Sequence, residues 1–226
     1  MVCPAAGGGQ VNILITFPTR SRPQKFLETL ELWEHPEVKI AITIDRDDAT
    51  MNNAQMLADL RERGHDVQIM SPQGKIAAMN YGVKERDWDL LFVAQDDLEP
   101  RRRYVQETLR LWDKHFGEST DGVLHLNDGF RHDYLNTIVI IGRQYFDRFG
   151  YIYHPQYRSL FADNEYTDVS THLRRVVRIS KRIIVHEWAG MSPDALLIRN
   201  ERFYDEDRAT YFRRKAMGFP LEPVPA

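Results

Sequence analysis

Two acids at the end of an apolar run are the sharpest chemical signal in this 226-residue sequence. Leu90-Leu91-Phe92-Val93-Ala94 leads straight into Gln95-Asp96-Asp97-Leu98-Glu99-Pro100. Adjacent carboxylates repel unless a cation or solvent intervenes, and a hard divalent ion that keeps waters and takes phosphate oxygens would satisfy them. The competing reading is a helix cap, since Asp97 and Glu99 would face the dipole of a helix starting near Arg101. A second cluster, Asp45-Arg46-Asp47-Asp48, follows another apolar run. It is no EF-hand loop, because Thr50 and Met56 stand where Gly and Glu are required. Asp45 instead suits hydrogen bonds from a nucleobase or ribose. Pro18-Thr19-Arg20-Ser21-Arg22-Pro23 supplies two hydroxyls and two guanidiniums just before a helix start. Anions favour such a place, and a capped helix with solvated arginines explains it equally.

These clusters need a scaffold that brings them to one edge. Residues 11–17 form a β-branched apolar run stopping at Pro18, the pattern of a strand buried on both faces. Pro23 suits the first position of a following helix, whose Phe26, Leu27, Leu30 and Trp33 share a face, and Pro36 ends it. The unit repeats: strand 38–44, helix 52–63, strand 67–70, helix 76–86, strand 90–94. A long helix follows from about Arg101, then strands at 123–126 and 137–141, a helix at 164–174, and strands at 176–179 and 183–185. Alternating strands and helices predict an α/β domain with a mainly parallel central sheet flanked by helices. Ligands then bind beyond the carboxyl ends of the strands, where the acids and arginines lie. The expected organisation is a flexible leader over 1–10, one domain over 11–215 and an extended tail over 216–226.

Composition narrows the classes. A chain that is 42% hydrophobic with 11% aromatics is neither disordered nor collagenous. A formal charge of −3 gives no whole-molecule pull towards nucleic acid or an anionic membrane. From His172 onward, however, 11 Lys and Arg face 7 Asp and Glu. One cysteine, Cys3, builds neither a disulfide framework nor a cysteine metal site, and a reducing, cytoplasmic compartment fits. No apolar run reaches the roughly 20 residues that span a bilayer, and no signal-peptide pattern opens the chain. P-loop, zincin, nucleophile-elbow and Gly-x-Gly-x-x-Gly signatures are absent.

Over residues 11–188 the strand ends together resemble the nucleotide-sugar-dependent glycosyltransferases of the GT-A fold, a Rossmann-like domain, in their family-2-like group. The resemblance implies that Pro18, Thr19, Arg20 and Arg22 line the nucleotide site and that Asp45 contacts the base of a UDP- or GDP-sugar. Ala77-Ala78-Met79-Asn80-Tyr81-Gly82 matches the Ala-rich, Asn-x-Gly helix of that group and brings Asn80 to the donor site. The usual Asp-x-Asp motif places Ala94 at its first acid, leaving Asp96 as metal and donor ligand with Asp97 assisting. His186, after Arg182-Ile183-Ile184-Val185, matches the late-strand His that many relatives bring to a Mn2+ or Mg2+ ion. Asp163, or Glu165 after it, matches the base that takes the acceptor proton in an inverting transfer, and an N-cap is the alternative role. Position alone adds Lys75 near the donor, and Asn127, Asp128 and Trp188 near the acceptor.

Other readings stay open. A nucleotidyltransferase shares the nucleotide site and acidic metal site, although its Gly-rich loop is missing here. A relative that binds nucleotide-sugar or glycan without turnover follows from Ala94. The acceptor could be hydroxymethylated DNA, if Arg174, Arg175, Arg178, Lys181, Arg182 and Arg213-Arg214-Lys215 form a basic face.

Overall fold

A computed structural model describes residues 11–71, 73–129, 134–187 and 194–220. The expected leader over 1–10, Trp188 and the tail beyond 220 lie outside them. The chain forms a seven-stranded sheet in a mixed α/β fold. In chain order it runs β1 (Ile13–Thr19), α1 (Pro23–Trp33), β2 (Val38–Asp45), α2 (Ala54–Glu62), β3 (Asp66–Met70), α3 (Lys75–Asn80) and β4 (Leu90–Val93). There follow β5 (Leu98–Pro100), α4 (Tyr104–Phe116), β6 (Val123–Leu126), β7 (Ile140–Gly142), α5 (Arg143–Asp147), α6 (Ala162–His172), β8 (Val176–Ile179), β9 (Ile184–His186), α7 (Ala195–Glu201) and α8 (Tyr204–Ala216).

The sheet order is β3-β2-β1-β4-β7-β6-β8, and every neighbour pair is parallel except those made by β7. The two-residue period of β1 sorts the core. Ile13, Ile15 and Phe17 join Phe26, Leu30 and Trp33 on one face, whereas Leu14 joins Ile76, Met79 and Trp88 on the other. Phe92 of β4 packs edge-on against Trp33 and Tyr104, locking the strand before the acids to α1 and α4.

Several boundaries differ from expectation for physical reasons. β1 does not stop at Pro18 but runs to Thr19. Its register with β4 ends at Thr16, so the missing Pro18 N–H faces an open position and breaks no ladder bond. The helix expected over 76–86 ends at Asn80, where Tyr81 turns extended and Gly82 takes φ +66°. β5 is a strand with no counterpart in the sequence reading. It pairs antiparallel with β9, Leu98 opposite His186, and so carries the acids to the late histidine. α5, α7 and α8 were likewise unanticipated.

Candidate active site

Three strand ends, α7 and the residues just after it enclose one cleft of about 220 Å³. Pro18, Thr19, Arg20, Arg22, Asp45, Lys75, Asp96 and Asp97, all named from the sequence, are among the residues that line it. Gln73, Arg158, Arg199, Arg202 and Phe203 complete the wall, and none of these was foreseen.

The arginines are held by a bent loop. Ser21 adopts φ +62°, and its N–H donates to the buried Asp48 carboxylate at 2.7 Å. The other Asp48 oxygen accepts from the Thr50 N–H and hydroxyl. Of the three acids after β2, Asp48 is therefore a brace. Arg20 donates to Asp45 at 2.7 Å and to the more exposed Asp47 at 2.5 Å. Arg22 donates to Asp96 at 3.0 Å and to Asp194 at 2.6 Å. The bond to Asp194, working against desolvation and helped by Asp96, raises the Arg22 pKa above its ordinary value.

The two acids after β4 have unlike surroundings. For Asp96, burial raises the pKa, the Arg22 charge opposes that rise, and neighbouring Asp97 adds to it. For Asp97, burial also pushes upward, but the hydrogen bond to His186 and the Lys75 charge outweigh it and hold the carboxyl at about 2. His186 Nε2 lies 3.4 Å from Asp97, and the Glu187 N–H donates to the Asp97 carbonyl at 2.8 Å. The β5–β9 pairing thus sets the acid against the imidazole.

Thr19, Asp45 and Asp97 each present one inaccessible side-chain oxygen without a hydrogen-bond partner in the protein. Buried oxygens in that state are uncommon, and all three residues line the cleft. Asp97 with His186 offers one hard oxygen and one imidazole nitrogen. That pair fits a divalent ion that completes its shell with water and phosphate oxygens. Among the described residues, no group of three His, Cys, Asp or Glu stands close enough to hold a metal. The expected trio of Asp96, Asp97 and His186 is therefore not assembled, because Asp96 faces Arg22.

Other expected residues are placed elsewhere. Asn80 does not line the cleft: its side chain accepts from the Ile152 and Tyr153 N–H groups and donates to the Tyr153 carbonyl, bracing a loop. Glu165 is buried, with both oxygens on Arg214 at 2.7 and 2.8 Å and one also on the Tyr157 hydroxyl at 2.8 Å. Asp163 sits in the first turn of α6, where its side chain accepts from the Asn164 N–H. Neither acid lines the cleft. Asn127 donates to the Ser180 carbonyl, and buried Asp128 accepts from the Thr137 hydroxyl at 2.7 Å. The basic face is partly neutralised: Arg175 pairs with Asp121, Lys181 with Glu107, Arg214 with Glu165 and Lys215 with Asp168. No described helix is long and apolar enough to cross a membrane.

No protein-family model matches the chain, and no curated protein matches it by sequence. Solved structures do match its fold. A mannosyltransferase from Pyrobaculum calidifontis, in complex with GDP-Man and Mn2+, superposes with a TM-score of 0.64 at 12% identity, covering 91% of this chain and 65% of that one. S. aureus TarS in complex with UDP-GlcNAc gives 0.58 at 15% identity, covering 87% and 66%. GalNAc-T7 with UDP, GalNAc and Mn2+ gives 0.58 at 10%, covering 96% and 53%. The chain therefore spans about two thirds or less of the length of the structures it matches. At these identities the likeness shows the fold, and that fold is the GT-A fold of nucleotide-sugar glycosyltransferases.

Proposed function

We propose that the protein is a glycosyltransferase that moves a sugar from a UDP- or GDP-sugar to an acceptor hydroxyl, assisted by Mn2+ or Mg2+, with inversion. The observation that carries this reading is the convergence on one cleft of Arg20–Asp45, Arg22–Asp96 and Asp97, with unpaired buried oxygens on Asp45 and Asp97 and with His186 beside Asp97 just outside the lining. The neighbours' GDP-Man, UDP-GlcNAc, UDP and Mn2+ support the same class.

Asp45 accepts hydrogen bonds from base or ribose, and Thr19 donates its hydroxyl. Arg20 and Arg22 orient these acids and offer their remaining N–H groups to phosphate. Asp97 and His186 would hold the divalent ion, which neutralises charge developing on the leaving diphosphate. Asp163 is kept as the proposed acceptor base, which puts the acceptor subsite beyond this cleft, since Asp163 does not line it. The double engagement of Glu165 by Arg214 and Tyr157 counts against it. Nucleoside diphosphate titrations with Mn2+, Mg2+ or chelator test the donor site, and donor turnover with a panel of acceptors tests the chemistry.

Two observations favour a second reading, a nucleotide-sugar binder without turnover: Ala94 stands at the first acid position, and both Asp96 oxygens accept from Arg22. Metal-dependent donor binding with no hydrolysis or transfer would decide for it. Detectable donor hydrolysis would decide for the enzyme.

A further inference from the structure

The cleft holds four cationic side chains with no carboxylate partner among the described residues. Its lining residues include six Lys and Arg against three Asp. Arg20 and Arg22 are already committed to acids, and Asp97 is already committed to His186. Lys75, Arg158, Arg199 and Arg202 remain, and among the described residues none of them has a carboxylate within ion-pairing distance.

The loop that carries Arg158 is anchored, although the Arg158 and Arg202 side chains are exposed. Asp207, fully buried in the first turn of α8, accepts from the N–H groups of Arg158, Ser159 and Leu160 at 2.7 to 2.8 Å. A carboxylate satisfied by three backbone donors fixes this loop in place. The Arg158 guanidinium stacks over the Phe203 ring at 5.3 Å, and the Arg158 carbonyl accepts from the Ile76 N–H at 3.3 Å. Arg202 is tied to its own helix, donating to the Arg199 carbonyl at 3.2 Å. Arg158, Arg199 and Arg202 thus share the cleft with Asp96 and Asp97, and their guanidinium N–H groups outside these contacts are available to an oxyanion. Arg199 also lies near enough to Asp47 to lower that acid's pKa, but both Asp47 oxygens accept from Arg20.

A nucleotide-sugar diphosphate brings only about two negative charges, and a bound divalent ion would cancel those. We infer that Arg158, Arg199 and Arg202 form a recognition site for a second anionic group, a phosphate or carboxylate carried by the acceptor or by the transferred sugar. This rests on the donor-site reading of the same cleft. The substrate pair is then acidic beyond its diphosphate, and these arginines select it.

The test titrates inorganic phosphate into the full chain saturated with UDP or GDP and Mn2+, at constant ionic strength. The wild-type protein is compared with Arg199→Gln/Arg202→Gln and, separately, with Arg158→Gln. Phosphate is expected to bind the nucleotide-saturated protein, and each variant should weaken phosphate at least tenfold more than it weakens the nucleotide. Comparing UDP-glucuronate with UDP-glucose then locates the anion. Tighter binding of the acidic donor places it on the transferred sugar, and equal binding places it on the acceptor. Absence of phosphate binding together with equal donors would overturn the inference. So would variants that weaken nucleotide and phosphate by the same factor, because the arginines would then serve the diphosphate alone. A wild-type protein that binds no nucleoside diphosphate would sink the donor reading first and this inference with it, an outcome separable from the others by the nucleotide titration itself.

Discussion

Asp97 stays charged against burial and His154 stays neutral because of it, and each leaves its mark on stability. Asp97 is kept ionised down to about pH 2, below the ordinary value of 3.8. Its contribution is complete above roughly pH 4 and is lost as pH falls through about 2, because the unfolded chain takes up the proton first. Asp97→Asn should therefore flatten the loss of unfolding free energy between those values; an unchanged acid limb would show that Asp97 is not held low. His154 runs the other way chemically. Burial and the Arg214 charge depress it from 6.5 to about 4, so it stays neutral when folded. Its stability contribution is full above about pH 6.5 and drains away towards 4, where the unfolded imidazole protonates and the native one resists. His154→Gln should remove that decline in urea midpoints measured from pH 7 to 4. The strand-end acids and arginines were legible in the sequence, because their types and their place after apolar runs carry the signal. Their partners were not. Nothing local tells that Arg22 takes Asp96, or that Glu165 meets Arg214, 49 positions away.

Elements place these residues through contacts that tolerate little change. At Gly142, the residue before α5, an added Cβ would overlap the Thr120 backbone carbonyl, which has no rotamer through which to yield. Gly142→Ala should cost about 2–3 kcal/mol. Gly150, at φ +72° with open space around it, supplies the control: its Ala variant pays only the backbone penalty of about 1 kcal/mol. Chemical denaturation of both variants checks the order, and equal losses would mean the Thr120 contact yields. Elements such as β1, β2 and α4 were readable from continuous β-branched apolar runs or from helical spacing. β5 was not, since Leu98-Glu99-Pro100 is three residues long and exists only by pairing with β9. The signals for α8 were present but unread: Asp205, Glu206 and Asp207 in its first turn, and Arg213, Arg214 and Lys215 in its last, match the helix dipole at both ends.

At the scale of the molecule, α7 completes the cleft, and one buried ion pair fastens the helix that follows it. Glu165 and Arg214 join α6 to α8 with both residues inaccessible. Removing one partner strands a buried charge, so Arg214→Leu should cost about 3–5 kcal/mol, and the Glu165→Gln/Arg214→Leu double variant should lose less than the two single losses combined. Additive losses in a double-mutant cycle would show the pair to be uncoupled. The sequence reading reached the doubly covered sheet, because β-α alternation is written locally. It missed the wall made by Arg158, α7 and Arg202, because those residues are far apart in the chain and meet only in the fold. The central claim is a metal-assisted nucleotide-sugar site, and thermal unfolding with UDP, GDP and their sugars, each with Mn2+ or chelator, tests it most directly. One nucleotide series should raise the melting temperature with Mn2+, less so with chelator, and this gain should vanish in Asp97→Asn when measured against that variant's own ligand-free melting temperature. No shift with any nucleotide, or an equal shift in Asp97→Asn, would show that this cleft is not that site.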